Sequence, residues 1–180
     1  MSETVIVGDG PTGLSAALLL AKNGEDAVVY GKDETKMHSA YLYNYLGIEA
    51  MDGTEFMEVA RDQCDNYDVE VREQEVTSVD EDGDGFHVST DEGNEQEADY
   101  LVLATGFARD LAQDLGLEFD GDAVDADKTG STSKDGVYAG GWTTRPDKIQ
   151  AAISVGDGAA IALEILSEEK GESFHDFDVP

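Results

Sequence analysis

The chain has 180 residues, of which 41 are acidic and 11 basic, giving a formal net charge of −30 in a composition that is still 40% hydrophobic. That apolar fraction excludes a charge-driven disordered chain, and the length suits one folded domain with a sizeable core. So acidic a surface repels phosphate backbones and anionic lipid, which excludes nucleic-acid binding and membrane-surface attachment, while its self-repulsion is relieved by screening and points to adaptation to high salt.

Cys64 is the only cysteine, so there is no intrachain disulfide and no Cys-x-x-Cys redox pair. No stretch reaches the roughly 18 to 20 apolar residues of a membrane span, and the start lacks the basic and long apolar regions of a signal peptide. A soluble, cytoplasmic protein is the expectation. Acidic runs such as 80–82 and 95–97 read as solvated surface. His38, His87 and His175 have neither metal-ligand spacing nor the pattern of a triad, so no metal is expected.

Residues 4–7 are a β-branched apolar run, followed by Gly8-Asp9-Gly10-Pro11-Thr12-Gly13 and an Ala- and Leu-rich segment over 14–21, which is the order strand, glycine turn, helix. Asn23-Gly24 stops the helix and 27–30 form a second strand, closing a βαβ unit. Over 32–47 the pattern is irregular, with Tyr41, Tyr43 and Tyr45 expected as wall and core. Thr54 is expected to cap a helix reaching residue 66, and Val69 and Val71 suggest a short strand. Residues 76–79, 85–89 and 95–100 form a meander with turns at 82–85 and 91–93.

The apolar strand over 100–104 ends in Thr105-Gly106. From 107 to 135 the chain is polar and irregular, with short strand character at 123–124. A last core strand over 137–139 stops at Gly140-Gly141, and a long helix begins near residue 149 and leads into an acidic tail, 171–180, expected to fray. The elements give an α/β, Rossmann-like fold, a mainly parallel sheet with a small antiparallel β-meander, in a single domain over 1–170.

In Gly8-x-Gly10-x-x-Gly13 the first glycine permits a tight turn, the second lets backbone approach a pyrophosphate, and the third lets helix pack on strand. The helix N-terminus then faces the anion. The acid that holds a ribose hydroxyl belongs about 20 residues on, at the end of the second strand. Gly31 stands there. Lys32, Asp33 and Glu34 follow as substitutes, and Lys32 is either a phosphate partner or a solvated lysine.

Together these pieces resemble the pyridine nucleotide-disulphide oxidoreductases, and within them the thioredoxin reductase-like flavoproteins. VIVGDGPTGLSAALLLAKNG looks like the FAD pyrophosphate turn. YNYLGIEAMDGTEFMEVARDQC resembles the family's Asn, aromatic and Gly stretch with its helix. EVTSVD, a hairpin and YLVLATG are similar to its meander and Ala-Thr-Gly strand, and GVYAGGWTTRPDKIQAAISVGDGAAIALEIL resembles its C-terminal FAD motif.

The resemblance implies FAD as cofactor, with Gly8, Gly10, Pro11, Thr12 and Gly13 at the pyrophosphate, Gly31 and Lys32 at the ribose end and Val76 beside the adenine. Asn44 would lie near the flavin ring. Ala104, Thr105 and Gly106 would border the cleft, Gly141 and Trp142 would lie among the cofactor-binding residues, and Gln150, Ala151 and Ala152 would place the final helix's N-terminus against the flavin carbonyl edge. It also implies a homodimer.

Departures from the family are equally specific. The NADPH-binding domain that follows the Ala-Thr-Gly strand is absent after about residue 109, and with it the Cys pair. Gly31 replaces the ribose acid, and Trp142 replaces an Asp that holds the ribityl chain, so Trp142 either covers the flavin, or fills space left by the missing domain or packs in a dimer contact. Arg145 and Lys148 either steer an anionic partner or balance nearby acids. The expected function is a minimal FAD-dependent oxidoreductase from a halophile, exchanging electrons with a partner protein or a small molecule. The alternatives are a non-catalytic flavin- or nucleotide-binding module for assembly or regulation, and, more weakly, an NAD-dependent dehydrogenase. No acid-base catalyst is assigned.

Overall fold

The structure is a computed structural model and describes residues 3–83 and 85–179. The opening βαβ unit consists of β1 (Glu3–Val7), α1 (Pro11–Lys22) and β2 (Asp26–Tyr30), with β1 and β2 in parallel register from Glu3 opposite Asp26 to Val7 opposite Tyr30. A 3-10 turn over Lys36–Ser39 leads to a small antiparallel pair, β3 (Tyr41–Leu42) and β4 (Met51–Asp52), and then α2 (Gly53–Asp65) and β5 (Glu70–Arg72). The meander follows as β6 (Val76–Asp82), β7 (Gly85–Thr90) and β8 (Glu95–Ala98).

After β9 (Tyr100–Leu103) come α3 (Asp110–Asp114) and a hairpin of β10 (Phe119–Asp120) and β11 (Ala123–Val124). β12 (Val137–Ala139), a 3-10 turn over Gly141–Thr143 and α4 (Ala151–Lys170) complete the fold. The main sheet has the order β12-β9-β1-β2-β5 and is parallel throughout. Successive connections leave β1 in opposite directions, toward β2 and later toward β9, so a topological switch point lies at the carboxyl end of β1.

Both faces of this sheet are covered, which is why its strands read as continuous apolar runs. Val5 and Val7 point to the layer built by the meander and the β10 to β11 segment, where Val79, Phe86, Val88, Leu115 and Leu117 are buried. Ile6, between them, points to the helical layer, where Leu14, Leu20, Met57, Ile161 and Ile165 are buried. In that layer α1 and α4 touch backbone to backbone. A Cβ at Gly158 would strike the Thr12 carbonyl and lie 2.9 Å from the Ser15 Cβ, and Ser15 donates its hydroxyl to the Val155 carbonyl at 2.8 Å.

Several sequence expectations are corrected. The α2 cap is Asp52 rather than Thr54: its carboxylate accepts the Thr54 N–H at 2.8 Å, and the helix starts at Gly53, two residues before a Thr54 cap would place it. Tyr45 packs on the helical core and Tyr41 lines the cleft, as expected of core and wall, but Tyr41 and Tyr43 are not core, being 49% and 81% exposed and packed on each other, because the short β3 has a single buried position, Leu42. The third meander strand ends at Ala98, and Tyr100 already belongs to the main sheet. α3 and β10 occupy the stretch expected to be irregular, held by Leu111, Leu115 and Phe119 against the meander layer. α4 begins at Ala151, two residues after the expected start.

The tail carries no regular structure from residue 173 to 179 but touches the body of the fold. Lys22 pairs with Asp176 at 2.8 Å and with Asp178, and the Phe174 N–H donates to Ser167 Oγ at 3.0 Å. This pairing is unusual in a chain where cations are scarce. Among the described residues, Lys22, Lys32, Arg61, Arg72, Lys134 and Arg145 pair with carboxylates, which leaves most of the acidic surface without a cationic partner.

Two outcomes follow. Gly158→Val forces α1 and α4 apart and lowers stability by about 1 to 3 kcal/mol, measured by chemical denaturation in molar salt. The unfolding midpoint rises as salt is raised from about 0.1 M to above 1 M, where the screening length falls from about 10 Å to about 3 Å; a midpoint that falls would contradict this.

Candidate functional site: a cleft at the carboxyl ends of the sheet

The turn after β1 is built where side chains do not fit. Gly8 has φ +113°, and a Cβ there would strike the Ala104 carbonyl; a Cβ at Gly13 would strike the Gly8 carbonyl. The Gly8 N–H donates to the Tyr30 carbonyl and the Ala104 N–H to the Val7 carbonyl, both at 2.8 Å. Thus β1, β2 and β9 end together, and a cleft of about 910 Å³ opens above them. That volume lies at the upper end of the range for small-molecule and cofactor sites, about 300 to 1,000 Å³.

Two helix N-termini face this cleft. At α1 the N-cap is Gly10, which has no side chain to cap the helix, and the first residue is Pro11, which has no N–H; the Thr12 and Gly13 amides have no acceptor among the described residues. At α4 the Gln150 carbonyl accepts from both Ile153 and Ser154, at 3.1 and 3.0 Å, and the Ala151 and Ala152 amides are likewise unmatched. Open amides and the helix dipole make each end a place for negative charge.

Of the turn residues, Gly8, Gly10, Pro11 and Thr12 line the cleft, while Gly13 lies buried beneath it. Gly31, Lys32, Val76, Ala104, Thr105 and Gly106 line it too, as do Asn44, Trp142, Gln150 and Ala151. Gly141 is buried behind the cleft, where its φ of +64° and the Thr12 hydroxyl leave no room for a Cβ, and Ala152 is exposed outside the lining.

Side-chain partners narrow the options left open by the sequence. Lys32 is held by Asp91 at 2.7 Å and Glu75 at 3.3 Å, and those partners raise its pKa. Arg145 is held by both carboxylate oxygens of Asp157 at 3.0 Å, so of the two cations near α4 only Lys148 is without a carboxylate partner among the described residues. Asn44 donates to Gln150 Oε1 at 2.9 Å, joining the two sides of the cleft. Trp142 packs on Phe107 with ring centroids 4.9 Å apart and an interplanar angle of 49°. His38 bridges Asp33 at 2.9 Å and Thr54 at 3.1 Å, and among the described residues no group of three or more His, Cys, Asp or Glu is placed to hold a metal.

Sequence reasoning missed three residues. Asp9 is 6% exposed and lines the cleft, and its Oδ2 accepts from Arg61 at 2.7 Å and from the Asp33 N–H at 2.9 Å. Arg61 also donates to Asp33 Oδ1 at 2.9 Å; burial raises the Asp33 carboxyl, but hydrogen bonds from His38 and Arg61 outweigh it and lower the pKa. Arg109 donates to the carbonyls of Gly106, Asp122 and Trp142 at 2.7, 2.7 and 3.2 Å, closing the short connection that follows β9. The signals were faint: Asp9 stands at a variable position of the glycine pattern, and the other two lie on unremarkable polar stretches.

Cys64 is fully buried in α2, and burial pushes its thiol up to about 11. It is expected to ignore a thiol reagent such as DTNB at pH 8 in the native protein and to react once the chain is unfolded in guanidinium; rapid native labelling would contradict its burial.

The model of the pyridine nucleotide-disulphide oxidoreductase family matches residues 2–107 and 45–156. A thioredoxin reductase of Helicobacter pylori is 30% identical over 111 residues, which is 59% of this chain and 36% of that protein. A ferredoxin–NADP reductase of Ignicoccus hospitalis is 34% identical over 113 residues, 59% of this chain and 37% of that protein. The chain thus spans little more than a third of the length of these relatives. Among solved structures, an atypical thioredoxin reductase from Desulfovibrio vulgaris Hildenborough superposes with a TM-score of 0.86 at 20% identity, covering 96% of this chain and 99% of that one. A ferredoxin-flavin thioredoxin reductase from Clostridium acetobutylicum gives 0.82 at 18%, covering 94% and 98%. These two likenesses show the fold, and with the family match they establish that the chain belongs to the pyridine nucleotide-disulphide oxidoreductase family.

Proposed function

We propose that this chain is a minimal FAD-dependent oxidoreductase, an FAD domain over residues 1–170 without the NADPH-binding domain, which exchanges electrons with a partner protein or a small molecule. The observation that carries this reading is one continuous cleft bordered by two open helix N-termini, those of α1 and α4. Such a cleft fits an extended dinucleotide, with the pyrophosphate over the glycine turn and the ring end at Asn44, Trp142 and Gln150. The fit rests on donors this chain offers: backbone amides at Thr12 and Gly13 where a pyrophosphate needs them, and glycine surfaces that let a ligand approach.

When bound, FAD supplies hydride or single-electron transfer. The protein's residues bind and orient. The Ala151 amide at the N-terminus of α4 stabilises negative charge at the ring end, the Asn44 to Gln150 bridge ties the facing wall to the cap of that helix, and the Phe107 and Trp142 rings shield that end from water. The connection from β9 to β12, with α3 and one hairpin in this chain, supports electrons reaching the cleft from another molecule. The net charge of −30 supports a halophile's cytoplasm as the setting, and the family resemblance supports a homodimer.

A second reading, a flavin-binding module without turnover, is favoured by one observation: the cleft holds no Cys pair and no assigned acid-base group. Purification in molar salt followed by a visible absorption spectrum tests both. The expected result is a flavin spectrum that releases FAD at near one per chain and is bleached by a chemical or protein donor. A flavin that is bound but passes electrons to no acceptor favours the second reading, and a colourless protein that takes up no added FAD overturns the oxidoreductase reading and leaves a non-catalytic nucleotide-binding module.

A further inference from the structure

The strongest unexplained feature of the cleft is a coincidence between two positions 22 residues apart in the chain, Asp9 and Gly31. A side chain at Gly31 has no room, because its Cβ would collide with the Asp9 carboxyl, with Oδ1 2.5 Å away and the Asp9 Cβ 2.7 Å away. The carboxyl of Asp9 therefore lies in the space from which a side chain at the end of β2 would start. An acid at that end of β2 is what a dinucleotide fold uses to hold a ribose. We propose that Asp9, from within the glycine turn, is the residue that binds the adenosine ribose hydroxyls, taking the role that Gly31 has no side chain to perform. The proposal rests on the dinucleotide-binding reading above.

The carboxyl is already oriented for this. Arg61 and the Asp33 N–H both hold Oδ2, at 2.7 and 2.9 Å, and Oδ1 accepts nothing from the described residues. Asp9 is nearly buried yet lines the cleft, beside Gly31. Arg61 neutralises a charge that would otherwise stand close to a pyrophosphate, so the arrangement tolerates an anionic ligand on the same turn. The other acids nearby serve this role less well. Asp33 Oδ1 is engaged by His38 and Arg61, Glu75 by Lys32, and Glu34 lines the cleft as an exposed side chain without a fixed partner among the described residues. The exchange is also mutually exclusive: an acid at 31 beside Asp9 would overlap it and place two carboxylates together.

The test uses flavin-free protein in molar salt and two ligands that differ only in the ribose, ADP and 2′,3′-dideoxy-ADP, titrated by calorimetry. Hydrogen bonds to a charged acceptor predict that the wild-type protein binds ADP roughly 10- to 100-fold more tightly than the dideoxy analogue. In D9A that ratio falls to near one, with FAD affinity, read by quenching of Trp142 emission, reduced by a similar factor. Because the wild-type ratio needs no variant, an unstable D9A leaves the proposal open to refutation, and D9N, which keeps the shape, serves as a second variant with a reduced ratio. G31E alone is expected to lose ADP binding, and D9A/G31E to regain the hydroxyl preference. Equal binding of the two ligands by the wild type, an unchanged ratio in D9A, or loss of the ratio in E34Q instead overturns the assignment to Asp9. A wild-type protein that binds neither ADP nor FAD overturns the dinucleotide reading itself, and the proposal with it.

Discussion

At the carboxyl end of β1 three backbone segments converge where no Cβ can be placed. Gly8 lies against the Ala104 carbonyl, Gly13 against the Gly8 carbonyl, and Gly158 against the Thr12 carbonyl. The first contact joins the turn to β9, the second seats α1 on that turn, and the third draws α4 onto the first turn of α1. These contacts set where both helix N-termini point, because a helix is rigid and its first amides follow its axis. The cleft is therefore a product of close backbone approach more than of the side chains that line it. A methyl group at any of the three would meet a carbonyl carbon or oxygen that belongs to another element and cannot rotate away.

Charge is the second constraint. With 41 acids and 11 bases, the chain has few cations to offer an anionic ligand, and three near the cleft are already committed, Lys32 to Asp91 and Glu75, Arg61 to Asp9 and Asp33, and Arg145 to Asp157, which leaves Lys36 and Lys148 without a carboxylate partner among the described residues. Backbone amides solve this problem without a cation. Their partial charges are fixed by the helix, carry no counter-ion that high salt would replace, and are presented at short range, where screening by dissolved salt is weakest. An acidic protein that binds a pyrophosphate thus leans on helix ends rather than on lysine and arginine.

Much of the fold was legible because its signals are local and strong. The β-branched run before Gly8, the Ala and Leu segment after Gly13 and the stop at Asn23-Gly24 define the βαβ unit from sequence alone, and the structure has it. The elements that escaped notice are short and held by distant partners. α3 has five residues and no side-chain cap, and stands because Leu111 and Leu115 meet the meander. Tyr41 and Tyr43 look like core by composition, yet a two-residue strand buries one side chain only, and that is Leu42. The tail meets Lys22, more than 150 residues away, a pairing that no local pattern encodes.

The candidate site divides along the same line. Glycines and helix starts are recognisable because each acts through its own backbone, whereas Asp9 and Arg61 acquire meaning only when β1, β2 and α2 are assembled. Gly31 seen alone is the loss of an acid; seen beside Asp9 it is the vacancy that lets a neighbouring carboxyl enter the same space. A ligand meets a carboxylate at a point in space and is indifferent to the strand that supplies it, so the requirement belongs to the cleft, not to a position in the chain. What the sequence presents as a defect at the end of β2 is, in three dimensions, one half of an exchange whose other half lies inside the glycine turn.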